Sequence, residues 1–429
     1  MTLYRQPQFD KFYMALALRL ARRGEGSAEP NPMVGAVLVE ESALGKQGIG
    51  SQNKEESLLS DANWRELKRL LDESQYDGFL ELSNFLASEG ESRSTLLGAI
   101  AGFGWHEKYG EAHAEVNAIK RLNTQRQFWS LTAYVTLEPC SHFGKTPPCA
   151  EALIKAGVRR VVIAQQDPYP EVSGQGIALL KKAGVEVEMG PLEKEANLLN
   201  GPYLKMVERG YPWVLAKWAM TLDGKIGTKT GESQWISNSL SREIVHEIRR
   251  RVDGVMIGSG TALADDPSLI PRPAGERVLS RIIVDHLAKI DLKSQLVQTA
   301  LEVPTIIAVG KEADDNKCNV LRNSGCELVL TEGEGHLKRL DFLLKELARK
   351  KMTNLLVEGG GQLLGNLFDL GQVDEVHVFV GPKIFGSSLA PSPVAGIGVE
   401  KVMDTPQCYR GKSRLLGEDI YYRALINQG

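Results

Sequence analysis

Apolar positions near the start of the chain recur with a helical period. In residues 9–23, FDKFYMALALRLARR, Phe12, Leu16 and Leu20 fall on one face and Gly24 closes the run, which predicts a packed helix. After Asn31-Pro32 the pattern changes to VGAVLVE, a β-branched run that predicts a central strand. A second strand is expected in LLGAIAGFGWH, starting near Leu97. Between the two lie residues 41–96, 56 positions without a clear strand, where a hairpin loop needs only ~2 to 5. This stretch reads as an insertion. Trp64, Leu67, Leu70 and Leu71 line one face of a short charged helix, Asp77-Gly78 marks a turn, and Leu82, Phe85 and Leu86 line a second helix. The expectation is a solvated helical hairpin.

Beyond the insertion, TAYVTL and RRVVIAQ read as strands, with CAEALIKAG as a helix between them, GIALLKKAG as a helix after them and GVEVEMG as a further strand. That alternation implies a parallel or mixed sheet covered by helices. Residues 193–210 read as a connecting helix, punctuated by Gly210-Tyr211-Pro212. A second series follows: WVLAKWAMT, DGVMIGS, SRIIVD, PTIIAVG, CELVL, NLLVEGG and EVHVFVG, interleaved with helical stretches. The expected organisation is therefore an α/β domain over residues 1–192, a connector over 193–210 and a second α/β domain over 211–429.

Composition narrows the function classes. The 51 basic and 54 acidic side chains nearly cancel, which argues against a chain that binds nucleic acid through bulk charge. The insertion holds 11 acidic and 6 basic residues, so it carries −5 and the rest of the chain +2. The early apolar run from Tyr13 to Leu18 is too short and too closely flanked by charge for a signal segment or a membrane span, so the cytoplasm is the expected address. Five cysteines in a chain this long do not form a disulfide scaffold.

Two of those cysteines sit in a dense cluster. His113-Ala114-Glu115 is followed downstream by EPCSHFGKTPPC, which contains Cys140 and Cys149. A zinc-dependent deaminase needs three protein ligands, one open position for water and a carboxylate close to the metal without binding it. His113 supplies an imidazole, Cys140 and Cys149 supply thiolates, and Glu115 can carry a proton from the attacking water to the ring nitrogen and then to the leaving amine. Each cysteine lies at or near the start of a helix-like stretch, where backbone N–H groups favour the thiolate. Eight residues separate the cysteines, where the common nucleobase-deaminase motif has two. His142 and Lys145 in the enlarged loop are candidates to meet a phosphate or a polar pyrimidine. A closed structural zinc site would need a fourth ligand, which His142 could supply, but Glu115 would then have no purpose.

HAEVNA, TLEPCSHFGKTPPC, the upstream PNPMVGAV and the downstream QDPYPEVSGQG resemble the deaminase half of the bifunctional riboflavin-biosynthesis deaminase/reductase family, the RibD type. The resemblance implies a cytidine-deaminase-like fold, zinc on His113, Cys140 and Cys149, and Glu115 as proton shuttle. It further implies substrate contacts from Asn31, His106, His142, Lys145 and Asp167. The substrate in that family is 2,5-diamino-6-ribosylamino-4(3H)-pyrimidinone 5′-phosphate, which loses its 2-amino group as ammonia. The chain departs from the family pattern at Tyr169, where DPYP replaces DPNP, and at Gln175, where a cation is usual, and both changes bear on phosphate binding.

In the second half, the strand NLLVE ends in Gly359-Gly360-Gly361 before a helix, a turn whose N–H groups suit a phosphate, and Ser259-Gly260-Thr261 forms another small-residue turn. The G-x-G-x-x-G fingerprint is not met, which argues against a standard dinucleotide-binding fold. LAKWAMTLDGKIG, GESQWIS, GTALADDPSLIPR and LVEGGGQLLGNLF resemble the reductase half of the same family. That half has a dihydrofolate-reductase-like fold and uses NADPH to reduce the ribosyl side chain to ribityl, giving 5-amino-6-ribitylamino-uracil 5′-phosphate. By residue match, Ala219, Trp235, Thr261, Asp265, Gly360, Gly361, Gln362, Leu363, Leu364, Gly365 and Asn366 line the cofactor. Lys217, Ser233, Arg249, Leu269, Arg272 and Glu358 face the substrate, with the two arginines suited to a phosphate and Lys217 or Glu358 to the opened sugar. His286 stands where the family often has a small hydroxyl residue.

Three other readings compete. A deaminase with a degenerate reductase half is at odds with the presence of Lys217, Asp265 and Glu358. A nucleic-acid-editing deaminase would need a basic groove, whereas the insertion is acidic. A non-catalytic binding protein would lack Glu115 or a zinc ligand. The resemblance also implies a homo-oligomer acting on small phosphorylated pyrimidines, with no nucleic-acid or membrane partner.

Overall fold

A computed structural model describes residues 6–44, 58–72, 93–141, 147–275 and 277–427. They divide into two compact units, Met1–Glu208 and Arg209–Gly429.

The first unit is built on a mixed sheet of β1 (Gly35–Glu40), β2 (Ile100–Trp105), β3 (Leu131–Val135), β4 (Val158–Ile163) and β5 (Glu186–Met189), in the order β2-β1-β3-β4-β5. β1 is antiparallel to both β2 and β3, and β3, β4 and β5 run parallel. The expected first helix is α1 (Gln6–Ala21), continued by a 3-10 turn at Arg22–Gly24. Its residues from Phe12 to Leu18 are buried all round, because the helix lies inside the core of the unit.

The second strand begins three residues later than LLGAIAG suggests. Leu96 and Leu97 end a short helix, which follows α2 (Asp61–Asp72) in the insertion and is α3 (Arg93–Gly98). The insertion thus joins two antiparallel neighbours, an enlarged hairpin connection. Its described part corrects the solvated reading: Leu58, Leu59, Leu67 and Leu70 are buried in the core of the unit. Glu66 pairs with Arg121 at 3.1 Å, and the Asn63 amide donates to the Arg121 carbonyl at 3.3 Å. The apolar face of α2 needs a partner, and the domain supplies it. The second helix expected around Leu82, Phe85 and Leu86 lies outside the described residues.

Next come α4 (Ala114–Lys120), α5 (Cys149–Lys155) and α6 (Gln175–Lys182). α4 lies close against β2 because Gly102 and Gly104 have no side chains. A Cβ at Gly102 would stand 2.4 Å from the Ala118 carbonyl oxygen, and one at Gly104 2.6 Å from that of Ala114. The expected connector is two helices, α7 (Glu193–Leu199) and α8 (Gly201–Arg209), broken at Asn200.

The second unit carries a sheet of β6 (Trp213–Thr221), β7 (Gly254–Gly258), β8 (Ser280–Val284), β9 (Thr305–Val309), β10 (Glu327–Leu330), β11 (Asn354–Glu358), β12 (Glu375–Gly381), β13 (Gln407–Leu416) and β14 (Asp419–Asn427). The order is β10-β9-β8-β7-β11-β6-β12-β14-β13, parallel from β10 to β12 and antiparallel beyond. Alternate residues fill two cores, Val214 and Ala216 in one and Leu215 in the other, so the parallel part is covered on both faces. Helices that bear on the site are α9 (Ser239–Arg249), α10 (Ser259–Asp265) and, after α11 (Gln295–Gln298), α12 (Asp315–Asn323) and α13 (Gly335–Arg349), α14 (Gly361–Asp369).

Candidate active sites

In the first unit, chain order and local geometry converge on three ligand atoms. His113 caps the N-terminus of α4 in an extended conformation, which places Glu115 in the first helical turn. Cys149 is the first residue of α5, whereas Cys140 sits in the loop after β3 rather than at a helix start. The helix still serves it: the Cys149 backbone N–H donates to the Cys140 Sγ at 3.3 Å. His113 Nδ1 lies 3.6 Å from the Cys140 Sγ and 3.3 Å from the Cys149 Sγ. The nitrogen and both sulfurs fall within 4.8 Å of one another, and among the described residues no further Cys, His, Asp or Glu joins them.

The electrostatics suit a dication. The two thiols compete for one proton, so Cys140, bonded by the Cys149 side chain and by His113, is held down at about 4 while Cys149 is pushed up by Cys140 and by burial. One nitrogen and two sulfurs form the donor set of a tetrahedral zinc with its fourth position open. Glu115 is only 3% exposed, burial pushes its carboxyl up to about 7, and its Oε2 has no hydrogen-bond partner. An orphaned buried oxygen beside three ligands fits an acid/base group poised near neutrality.

Asn31 and His106, separated by the insertion in sequence, meet in space. Ala112 O can only accept, so the His106 Nδ1 3.1 Å away carries the proton, and Nε2 accepts from the Asn31 amide at 3.2 Å. The His106 ring packs edge-on to His113, centroids 5.2 Å apart. Asp167 is buried, and its Oδ1 accepts from the Tyr169 backbone N–H and the Tyr203 hydroxyl, each at 2.9 Å. His142 and Lys145 lie outside the described residues.

Sequence reasoning passed over Glu138. Its buried carboxylate accepts backbone N–H groups of Gly174 and Gly176, both at 2.9 Å, and of Ile177 at 3.2 Å, which ties the Cys140 loop to the start of α6. The Glu before Pro139-Cys140 is the only signal the sequence offers for it.

In the second unit, strand register builds the central group. Glu358 of β11 pairs Cα to Cα with Lys217 of β6, and the Lys217 Nζ stands 3.7 Å from the carboxylate. Arg249, at the end of α9, donates to the other oxygen at 2.5 Å. Burial works to raise Glu358, but the charges of Arg249 and Lys217 overcome it and hold the carboxyl low; Lys217 is lowered, chiefly by burial. Arg272 is exposed and donates its backbone N–H to the His246 Nδ1 at 3.2 Å, one helical turn from Arg249. His246 is a further member of the cluster that the sequence reading did not name.

The cofactor candidates surround the C-terminal ends of β6, β7 and β11. Gly360 donates its N–H to the Thr261 hydroxyl at 3.2 Å, and Ser233 reaches Asp265 at 3.4 Å. Trp235 is exposed with the Arg242 guanidinium 4.5 Å above its ring, and Ala219 lies on β6. Gln362 bonds to Asn366 on α14. Leu363 and Leu364 are buried in one core and Leu269 in the other, so each offers backbone rather than side chain to a ligand. Gly361 and Gly365 face protein: a Cβ at Gly365 would stand 1.9 Å from the Ala395 carbonyl oxygen. His286 stacks on His336, centroids 5.3 Å apart.

Comparison with known proteins decides the family. Residues 7–165 match the model of the cytidine and deoxycytidylate deaminase zinc-binding region, and residues 212–422 match the RibD C-terminal domain. The riboflavin biosynthesis protein RibD of Aquifex aeolicus (strain VF5) is 34% identical, the alignment covering 96% of this chain and 97% of that protein. The chain belongs to the RibD family. A solved RibD of Acinetobacter baumannii is 29% identical with a TM-score of 0.74, over 98% of this chain and all of the other. The Thermotoga maritima diaminohydroxyphosphoribosylaminopyrimidine deaminase/5-amino-6-(5-phosphoribosylamino)uracil reductase is 27% identical with a TM-score of 0.72, over 98% and 99%. Like the RibD family, this chain is a bifunctional enzyme, a zinc-dependent deaminase joined to an NADPH-dependent reductase, with a cytidine-deaminase-like first unit and a dihydrofolate-reductase-like second. Among the described residues no helix is long and apolar enough to cross a membrane.

Proposed function

We propose that the first unit deaminates 2,5-diamino-6-ribosylamino-4(3H)-pyrimidinone 5′-phosphate and that the second reduces the ribosyl chain of the product to ribityl. The orphaned Glu115 oxygen beside His113, Cys140 and Cys149 carries the first half. Zinc held by those three ligands would supply the Lewis acidity that makes water nucleophilic at neutral pH. Glu115, its carboxyl raised by burial, takes a proton from the attacking water, delivers it to the ring nitrogen and assists departure of ammonia. Asn31 and His106 form one wall of the pyrimidine pocket, and Asp167, His142 and Lys145 hold the rest of the substrate.

In the second half the Lys217–Glu358–Arg249 group carries the reading. Thr261, Asp265, Trp235, Ala219 and the backbone of residues 360–366 would hold NADPH, which when bound would supply the hydride for C1′ of the sugar. Lys217, lowered by burial, can give a proton to the ring oxygen released as the sugar opens, and Glu358 orients it. Arg249, Arg272 and Ser233 take the phosphate end. A coupled assay on the diamino-pyrimidinone phosphate, following ammonia and NADPH together, tests the reading: NADPH consumption should begin only after ammonia release. NADPH oxidation that precedes deamination would overturn the order.

We place the enzyme in the cytoplasm and assign it small-molecule rather than nucleic-acid or membrane partners, supported by its near-neutral charge. A homo-oligomer through the second unit is supported by the exposed apolar side chains Ile384, Leu389, Ile397, Val402, Met403 and Leu415. Sedimentation of the purified chain checks it, and a monomer at micromolar concentration would exclude it.

A further inference from the structure

The segment that leaves the first unit reads as a mere connector, yet two of its polar side chains, Asn200 and Tyr203, bond to the loops that carry candidate residues of the deamination site. Asn200, at the break between α7 and α8, is 1% exposed. Its Oδ1 accepts the Met33 backbone N–H at 2.8 Å and its Nδ2 donates to the Met33 carbonyl at 3.1 Å, so one amide satisfies both polar groups of that residue. Met33 lies two residues after Asn31, whose amide meets His106. One turn into α8, the Tyr203 hydroxyl donates to the Asp167 Oδ1 at 2.9 Å. The loops bearing Asn31 and Asp167 come from opposite ends of the first unit's sequence, and the same short segment holds both.

Packing alone does not account for this arrangement. An apolar residue at position 203 could fill the space, but only a donor there meets the acceptor of a buried carboxylate. Among the described residues Asp167 has one other donor on that oxygen, the Tyr169 N–H, which belongs to its own turn and moves with it. Among the described residues the Tyr203 bond is therefore the one that ties the Asp167 carboxylate, rather than its backbone, to a different element. We propose that α7 and α8 are part of the deamination site, with Tyr203 the positioning residue that sets the Asp167 carboxylate toward substrate. Resting on the reading of Asp167 as a substrate contact, the proposal adds that a residue outside the deaminase motifs sets that contact.

The test is a double-mutant cycle on the full chain. Tyr203→Phe removes the hydroxyl and keeps the ring, so the fold is retained and the melting temperature checks that it is. The expected result is a rise of about tenfold in deaminase KM with kcat within about twofold, as one charge-assisted hydrogen bond is lost. Reduction of supplied deaminated substrate should be unchanged. In an Asp167→Ala background, which removes the acceptor, Tyr203→Phe should cost nothing further. An unchanged KM in Tyr203→Phe, or a penalty of full size in both backgrounds, overturns the proposal. If Asp167→Ala itself leaves KM unaltered, the substrate contact is wrong and the positioning role falls with it; if Asp167→Ala raises KM while Tyr203→Phe does not, the contact stands and only the role of Tyr203 is removed.

Discussion

Cys149 donates its backbone N–H to the sulfur of Cys140, 3.3 Å away, so one metal ligand stabilises the thiolate of the other. The enlarged loop between the two cysteines leaves this contact intact, and the site should therefore bind zinc as a three-ligand centre. Metal analysis of the purified chain should find about one zinc per molecule. Cys149→Ala should lose it, because that change removes a ligand even though the backbone N–H that bonds Cys140 remains. A metal-free preparation with full deaminase activity would sink the assignment.

Glu115 separates the two chemistries. Its Oε2 has no hydrogen-bond partner and glutamine keeps an oxygen for the contact with Cys149, so Glu115→Gln should fold and bind zinc normally. Ammonia release should fall by at least about a hundredfold, the scale of general acid/base catalysis. Reduction of supplied deaminated substrate should continue, and loss of both activities would contradict two independent sites.

Lys217 and Arg249 share one carboxylate. Glu358→Gln would leave two cations close together with no anion between them in a largely buried group. Truncating one partner of a buried charge pair costs about 2–5 kcal/mol, so reductase kcat/KM should drop about a hundredfold while deamination is unaffected. Single-turnover NADPH oxidation measures it, and wild-type reduction by the variant would remove Glu358 from the site.

The insertion makes a stability prediction. Leu67 is fully buried against the first unit, so Leu67→Ala should destabilise that unit by about 2–5 kcal/mol. A helix in solvent would lose less than about 0.5 kcal/mol. Chemical unfolding of the variant distinguishes the two, and a near-neutral result would restore the solvated picture.

How much was legible follows from burial. All seven parallel strands of the second unit announced themselves, because a sheet covered on both faces writes continuous apolar runs such as GVMIG and NLLVE. β13 did not: QCYRGKSRLL is exposed along nearly its whole length and shows no apolar face to read. The zinc ligands were visible because the chemistry demands those residue types, and so was the Glu two positions on. Asn200 and Tyr203 were invisible, since a polar residue in a helical pattern looks solvent-facing until the fold puts Met33 and Asp167 opposite it. Leu67 was seen as apolar, but nothing in its spacing says whether a partner surface exists.

The last expectation concerns acid. Glu375 and His377 are buried on β12, with the His377 Nε2 2.9 Å from the carboxylate and Arg423 donating to the same oxygen. Burial alone would raise Glu375, but Arg423 and His377 hold it well below the ordinary carboxylate range. A folded value below the unfolded one means the contribution is fully present above about pH 4.3 and is lost progressively as pH falls from there toward the lower folded value. His377 is itself lowered by burial, so from about pH 6.5 downward the unfolded chain takes up its proton before the folded chain does, and stability begins to fall there. Glu375→Gln should therefore cost about 3 kcal/mol at pH 7, the scale of breaking a buried pair. That penalty should begin to shrink below about pH 4.3, where the unfolded chain takes up the proton that the folded parent still refuses. Unfolding curves of parent and variant should lie closer at pH 3.5 than at pH 7 or 5, and a penalty that stays constant across that range would show that the Glu375 charge contributes nothing to the fold.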